Sequence, residues 1–352
     1  MTLVAPSARA DAPEVSERPA RLPFTRALFL LAAVVLLILV FLLSLWVGAR
    51  GISFDEMWQV LWHPDGSETA YIVHEMRMSR ACLALTVGAA LGVAGALIQA
   101  LTRNPLADTG ILGVGAGASF AVVVAIGLLG ITAMSQYLWF AFGGAILVTA
   151  LVYALGSVGS VGATPVRLTL VGVAIGAVLG GFASAITMLN PDSFDDMLRW
   201  SAGSLAGRGW STLTTVALPI ALGLLIAAIS GRPLNAISLG DDLARSLGAN
   251  VVRTRVLVII AVTLLAGAAT AAAGPIGFVG LMVPHVVRWF TGPDQRWIIP
   301  FSAVAAALLL LASDVVGRVV LAPQELEVGI VTAFLGAPVL ILLARRTRVS
   351  AL

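Results

Sequence analysis

The side chains that could carry out chemistry are few and do not form a catalytic pattern. The three histidines, His63, His74 and His285, lack the four-residue spacing of a zinc-binding pair on a helix. Cys82 is the one cysteine, which excludes an internal disulfide and a cysteine-based metal cluster. We therefore predict no catalytic residues, no metal site and no cofactor bound by this chain.

The basic residues are more informative, because all 21 are arginine and the chain has no lysine. A phosphate-binding loop of the G-x-x-x-x-G-K-[ST] type needs its lysine at the β- and γ-phosphates. This polypeptide therefore cannot carry such an ATP site. Any work driven by ATP needs a partner subunit that binds the ATP and its Mg²⁺.

Two pairs of charged residues have spacings that place their side chains close together. Arg77 and Arg80 lie three residues apart before an apolar run, so that both face one side of a helix. Taken alone, this pattern is typical of arginines that extend from a membrane-spanning helix to the lipid–water interface. Asp314 and Arg318 lie four residues apart, which predicts a local ion pair.

A leucine stripe marks the polar segment from 231 to 255. Leu239, Leu243 and Leu247 recur every four residues, which predicts a short helix with one apolar face. In this interpretation a new helix begins at Pro233, so we expect two short helices within 233–249. Taken alone, the pattern favours an amphipathic loop on a membrane surface.

The elements that position these residues are predicted by the apolar composition. Hydrophobic residues make up 59% of the chain and charged residues 11%, and the mean hydropathy is +1.00. A bilayer core of roughly 30 Å needs about 20 helical residues to cross it. The candidate spans are approximately 27–48, 79–100, 111–130, 137–156, 168–189, 211–230, 256–273, 276–291, 297–316 and 327–343. We predict an all-α polytopic membrane protein with about ten transmembrane helices, the eighth being short enough for a broken or re-entrant segment.

The predicted organisation is one transmembrane domain, 27–345, between two polar tails. Residues 1–26 combine scattered prolines with arginines, which predicts a disordered tail, and 346–352 form the second tail. An even number of spans starting inside places 15 of the 21 arginines in the cytoplasm. We therefore expect both termini to be cytoplasmic and the protein to lie in the inner, or cytoplasmic, membrane.

Glycines four residues apart predict close helix contacts in two of the spans. Gly88 and Gly92 share one helical face, and Gly172, Gly176 and Gly180 share another. We expect both helices to be buried in the bundle. Ordinary packing explains these ladders, and they are given no catalytic role.

Ordered sequence blocks give the chain a more specific resemblance. The first runs from His74 to Arg80, and it is followed by Gly88–Ala96, Gln99–Asp108 and Leu112–Gly117. Further blocks are Trp200–Leu205, Leu239–Gly248, Gly274–His285 and Glu325–Pro338. Together they resemble the FecCD permease family, whose members import ferric siderophores, haem and vitamin B12. The family commonly has proline where Glu327 stands. This departure affects only the expected start of the last helix.

The resemblance implies a vitamin B12 importer permease-like bundle that forms the translocation pathway of an ATP-binding-cassette importer. The implied partners are an ATPase subunit, an external or periplasmic substrate-binding protein, a second copy or a similar permease, and membrane lipid, with no nucleic acid. At the leucine stripe, the resemblance favours helices that contact the ATPase over a loop on the membrane surface, because the family uses that segment as coupling helices. The implied contacts are Leu239, Gly240, Asp241, Ala244, Leu247 and Gly248.

The same resemblance implies roles at two other places. Arg77, Arg80 and Arg318 match arginines that dock the binding protein, and we expect all three to lie on the outer side of the membrane. The inner gate would lie at Gly162, Ala163, Thr164 and Pro165, before the fifth span, which lines the pathway together with the tenth.

Three questions stay open at this point. A ferric siderophore is the leading substrate, with haem and cobalamin as alternatives. The partner permease can be an identical or a similar chain. A secondary transporter would need no ATPase, but it would normally place ion-coordinating groups near the bilayer midplane, where this sequence has few.

Overall fold

The computed structural model describes residues 23–131, 133–158, 164–190, 194, 197–198 and 200–345. The predicted tails lie outside these residues, except that Pro23 to Arg26 belong to the first helix. The tail prediction is therefore wrong for these four residues. Proline is well suited to a first helical turn, because its missing N–H would have had no partner there.

Every helix follows an apolar or amphipathic stretch of the sequence, and the described residues contain no β-strand. The helices are α1 (Pro23–Trp46), α2 (Phe54–Trp62), α3 (Glu68–Tyr71), α4 (Ser79–Thr102), α5 (Val114–Gly127), α6 (Met134–Gly156), α7 (Pro165–Leu189), α8 (Trp210–Ser238), α9 (Asp241–Ser246), α10 (Val251–Ala273), α11 (Val279–Thr291), α12 (Gln295–Val320) and α13 (Val328–Arg345). A π-helical segment, Ile72–Met78, joins α3 to α4, and a 3₁₀ turn, Thr109–Leu112, precedes α5.

The ten predicted spans each contain a helix, which confirms the all-α polytopic class. Among the described residues, seven helices are long and apolar enough to cross a membrane, and Val114–Gly127 and Val328–Leu342 are shorter apolar helices. The helix of the eighth predicted span, α11, has 13 residues, about 20 Å at 1.5 Å per residue. It is therefore too short to cross alone, as its glycine- and proline-containing start had indicated.

The expected restart of the chain at Pro233 is wrong. Helix α8 continues through Pro219 and Pro233 to Ser238, so that only α9 is a separate short helix between spans six and seven. A proline removes one main-chain donor, but helices in lipid tolerate it where neighbours satisfy the freed groups. Here Leu234 is fully buried next to Pro233, so packing holds the helix together across the proline.

Helix α4 forms the centre of the bundle and packs against α8, α10, α11 and α12. In its most apolar stretch 78% of the residues are buried, as in α10. Gly88 and Gly92 lie against the α12 backbone, and a Cβ at Gly95 would overlap the carbonyl oxygen of Gly280 in α11. The predicted close contact of the first glycine ladder is therefore confirmed. Such approach of backbones is what brings helices together in lipid, where burial of apolar surface gives no driving force.

A buried amide extends the contact between α4 and α11. Gln99 is fully buried; its Nε2 donates to the carbonyls of Gly280 and Leu281 at 3.3 and 3.0 Å. Its Oε1 accepts a hydrogen bond from Arg288 Nη1 at 2.7 Å. Both halves of the amide are thus satisfied, so the short helix α11 has a fixed register against α4.

The second glycine ladder does not bury its helix. In α7 only 6% of the most apolar stretch is buried. Gly172 lies against the carbonyl of Ile111, whereas Gly180 has no neighbour within 4 Å of a built Cβ. The expectation for α7 is therefore wrong, because a glycine spacing shows that a close approach is possible and does not show that a partner lies within the same chain.

The close contact at Gly95 can be tested by adding one methyl group. Gly95→Ala should destabilise the fold by roughly 1–3 kcal/mol, the usual cost of overpacking, since the new Cβ meets main-chain atoms. Gly143→Ala is the matched control, because Gly143 lies in helix α6 with open space around it. Thermal unfolding in detergent should give a lower midpoint for Gly95→Ala alone, and equal midpoints would contradict the packing described.

Candidate coupling and docking sites

Four charged residues form a cluster at the beginning of α4, here named the Asp314 cluster: Arg80, Asp314, Arg318 and Glu325. Arg80 donates from Nε to Asp314 at 2.9 Å and from Nη1 to Glu325 at 2.5 Å. Arg318 pairs with the other oxygen of Asp314, so the predicted local ion pair is confirmed. The Asp314 and Arg318 side chains are 0% and 2% exposed. One buried carboxylate therefore serves two guanidinium groups, on α4 and on α12.

Two arginines fix the end of α1 at the same place. Arg77 donates to the carbonyls of Leu45, at 3.0 Å, and of Arg50, at 2.6 Å, and Arg318 donates to that of Ser44 at 2.9 Å. The last carbonyls of a helix have no partner within it and carry the negative end of its dipole. Since only 11% of the most apolar stretch of α1 is buried, these bonds are a main attachment of α1 to the bundle.

Arg77, Arg80 and Arg318 lie together at one end of the bundle, but they do not extend freely into solvent. Arg77 is 5% and Arg318 2% exposed, and the Arg80 side chain is 13% exposed. All three are engaged within the chain by carbonyls or carboxylates. Sequence spacing predicted the pairing of Arg318 with Asp314. It could not show that Arg77 would contact α1, or that Arg80 would contact Asp314 and Glu325, because these partners are distant in sequence. A docking role for them stays a prediction.

The predicted coupling segment places its leucines on the surface. Leu239, Leu243 and Leu247 are 60%, 48% and 62% exposed. Gly240 and Gly248 flank α9 with φ of 112° and 83°, a region that glycine enters at little cost. These two turns detach α9 from α8 and α10 and present the leucines together.

Two of the other predicted contacts of this segment, Asp241 and Ala244, point back into the chain. Ala244 is fully buried and packs with Ile237 and Val251, so the prediction that it touches a partner protein is wrong. Asp241 accepts hydrogen bonds from Arg103 and Arg255. The predicted contacts that a partner can reach are therefore Leu239, Leu247 and the two glycines, Gly240 and Gly248, and Leu243 joins them.

The predicted inner gate is only partly within the described residues. Gly162 and Ala163 lie outside them. Thr164 precedes α7 and its hydroxyl accepts from the main chain of Arg167, while Pro165 occupies the first turn. Arg167 donates to the carbonyl of Val158 at 2.9 Å, and so it joins the two ends of the gate segment. The gate function stays a prediction.

Sequence analysis missed a junction between three of the sequence blocks. Ser204 N donates to Ala273 O at 2.7 Å, and Gly329 N donates to Gly203 O at 3.0 Å. A Cβ at Gly329 would overlap the carbonyl of Ala202. Gly203, Gly274 and Gly329 were the available signal, since each lies where two backbones meet.

The last helix begins normally at the position where the sequence departs from the family pattern. The carbonyl of Glu327 accepts from Ile330 N at 3.0 Å and from Val331 N at 3.3 Å. Helix α13 then starts at Val328. A carboxylate is favourable beside a helix N-terminus, so Glu327 replaces the proline without disturbing the helix.

The described residues contain no group of three histidine, cysteine, aspartate or glutamate side chains that could hold a metal ion. The helical bundle, with its ionic cluster at one end and its exposed leucines at the other, is that of a multi-pass membrane protein. A family comparison makes the class specific: residues 36–346 match the FecCD transport family. The chain belongs to this family.

Individual relatives agree with this assignment. The chain is 46% identical over 322 residues to the ferric enterobactin transport system permease protein FepD of Escherichia coli (strain K12), covering 92% of this chain and 96% of that protein. It is 35% identical to the hemin transport system permease protein HmuU of Yersinia pestis, over 89% of this chain and 94% of that protein. A solved inward-facing structure of a metal-chelate type ABC transporter superposes with a TM-score of 0.79 at 26% identity, over 91% of this chain and 99% of that one.

Asp314 supplies a test of the ionic cluster. Asp314→Asn should destabilise the protein by about 3 kcal/mol, because it leaves Arg318 buried without its carboxylate. Glu325→Gln is the matched control: its carboxylate is 33% exposed, and loss of such a pair costs at most about 1 kcal/mol. Thermal unfolding should separate the two variants clearly. A midpoint for Asp314→Asn no lower than that of Glu325→Gln would show that the buried pair is not needed.

Proposed function

We propose that this chain is the membrane permease of an ATP-driven importer of ferric siderophores. The observation that carries the proposal is the 46% identity, over 92% of the chain, to a ferric enterobactin permease. Transport of haem or cobalamin by the same architecture is the alternative. It ranks below siderophore transport because the identity to a hemin permease is lower, at 35%. The chain itself acts as a conduit and not as an enzyme, with ATP and Mg²⁺ bound by its partner.

The ATPase subunit docks on α9. Three leucines are about half or more exposed here, Leu243 on the six-residue helix and Leu239 and Leu247 flanking it. Such exposed apolar side chains are costly in water and serve best as anchors in an apolar groove of a partner protein. A helix lying in the membrane surface is the competing interpretation, and the test below separates the two.

The α9 end lies in the cytoplasm, and both termini lie on that side. Among the described residues, the exposed arginines of this end are Arg103, Arg167, Arg232, Arg245, Arg253, Arg296 and Arg345. On the opposite end, among described residues, Arg50 is the exposed arginine, and it is paired with Glu68. Such an excess of arginine is typical of cytoplasmic segments.

The binding protein docks on the end that carries the Asp314 cluster. Within that cluster, the Arg80–Glu325 pair is the part that a partner can reach, with side chains 13% and 33% exposed. An approaching carboxylate could share Arg80, and such rim contacts govern encounter and orientation more than affinity. Arg77 and Arg318 lie beneath this surface and stabilise it by donating hydrogen bonds to carbonyls at the end of α1.

A second permease, identical or similar, packs against α7 and α13. Helix α7 exposes Leu170, Val173 and Phe182, and α13 exposes Phe334 and Leu335. These are the fifth and tenth spans, which line the pathway at the dimer axis in the family that the sequence resembles. The exposed glycines and alanines of α7 allow another helix to approach closely.

The transport proposal is tested by uptake of a ferric catecholate siderophore into proteoliposomes containing the permease with its ATPase and binding protein. Uptake should require ATP and should stop with vanadate, because the driving force comes from the ATPase. Haem and a corrinoid serve as parallel substrates. Uptake that continues without nucleotide would overturn the ATP-driven mechanism, and uptake of haem or corrinoid alone would overturn the substrate.

The docking surface is tested with Leu247→Ala. Loss of a central leucine at an interface costs about 2 kcal/mol, so the affinity for the ATPase should fall roughly 30-fold. Leu155→Ala, at the end of α6 and 50% exposed, is the matched control and should bind normally. If Leu247→Ala retains full affinity, and a tryptophan at 247 is quenched by brominated lipid, the helix lies in the membrane surface and the docking proposal fails.

A further inference from the structure

The first residue of α9, Asp241, joins this helix to two helices of the core. Its Oδ1 lies 2.5 Å from Arg103 Nη2 and its Oδ2 lies 2.8 Å from Arg255 Nη2. The adjacent Asp242 differs completely, since its side chain is 100% exposed and pairs only with Arg245 of the same helix. Two neighbouring aspartates therefore have opposite orientations, one towards the bundle and one towards solvent.

The partners of Asp241 lie on the two most buried helices. Arg103 ends α4, and Arg255 lies in the first turns of α10. In both helices 78% of the most apolar stretch is buried. A displacement of Asp241 is thus applied directly to the rigid centre of the protein.

Arg103 is held in an unusual backbone conformation that fits this role. It has φ 50° and ψ 33°, in the left-handed region that residues other than glycine seldom adopt. Asn104 N closes the end of α4 by donating to Gln99 O at 3.2 Å. The turn directs the Arg103 side chain from the axis of α4 across to α9, where the Asp241 carboxylate receives it.

Few other contacts would transmit a movement of α9. Gly240 and Gly248 flank it as turns with positive φ, and a Cβ at either would meet nothing within 4 Å. The apolar contact of α9 is Ala244 with Ile237 and Val251, residues at the ends of α8 and α10. Ala244 holds the helix in place, and among these contacts the Asp241 pairs alone reach α4.

Helix α4 connects this link to the opposite end of the molecule. Its 24 residues span about 36 Å, with Arg103 following its end and Arg80 in its first turn. Arg80 belongs to the Asp314 cluster. A single helix therefore has an ionic contact at each end, one with the proposed ATPase-docking helix and one with the proposed binding-protein surface.

We propose that Asp241 is a positioning residue that transmits the movement of α9 to α4 and α10, so that ATP hydrolysis is coupled to transport. The proposal rests on the docking of an ATPase on α9. It assigns Asp241 to transmission within the permease and not to contact with the ATPase. A partly exposed ion pair contributes little to stability, so the residue serves coupling more than folding.

The test compares Asp241→Asn with Asp242→Asn in the complete complex of permease, ATPase and binding protein in proteoliposomes. The readout is chelate transported per ATP hydrolysed. Asp241→Asn should lower this ratio about five-fold or more, the usual range of coupling between sites, while the ATPase still binds with normal affinity. Asp242→Asn should behave as the unmodified protein. Asp241→Glu should recover part of the ratio, because the carboxylate is retained.

Arg103→Gln provides an independent variant on the other side of the link, and it should reproduce the loss seen with Asp241→Asn. The proposal is overturned if Asp241→Asn and Asp242→Asn have equal ratios, or if Asp241→Asn loses the ATPase altogether. Failure of the docking proposal looks different, since Leu247→Ala would then bind the ATPase with full affinity, whatever the transport ratios of the Asp241 variants.

Discussion

The close approach of small residues along α4 is the contact on which the rest of the bundle depends. Lipid gives apolar helices no reason to associate, so contact between backbones must supply the attraction. Gly88 and Gly92 bring α12 close, and Gly95 brings α11 close. Since α4 also contacts α8 and α10, its position determines that of four other helices. The ionic contacts at its two ends then act on a rigid element.

The fold was largely predictable because a helix that crosses a lipid bilayer needs a long apolar segment, which is easy to recognise in a sequence. Apolar runs of about 20 residues mark the spans, and a helix lies in every predicted one. The errors have definite causes. Pro233 does not interrupt α8, because buried neighbours hold the helix through it. The glycines of α7 indicate where another helix can approach, and in this chain most of that face has no intramolecular partner.

The sites were predictable in position and not in orientation. Residue spacing placed Leu239 and Leu247 on one face, and both are exposed. It could not show that Asp241 and Ala244 would face the bundle, because their neighbours, such as Arg103, are distant in sequence. The same reason applies to Arg77 and Arg318, whose charges are neutralised or solvated by groups from α1 and α12. The direction in which a side chain points depends on tertiary packing, which a single sequence does not reveal.

The attachment of α1 has a consequence for how this part of the molecule can vary. Arg77 and Arg318 bind carbonyl oxygens of Leu45 and Ser44, atoms that every amino acid supplies. The anchor therefore recognises the shape of a helix terminus and is indifferent to which apolar residues precede it. Helix α1 can drift in composition to suit membranes of different thickness or lipid content, while its junction with the transport core remains unchanged.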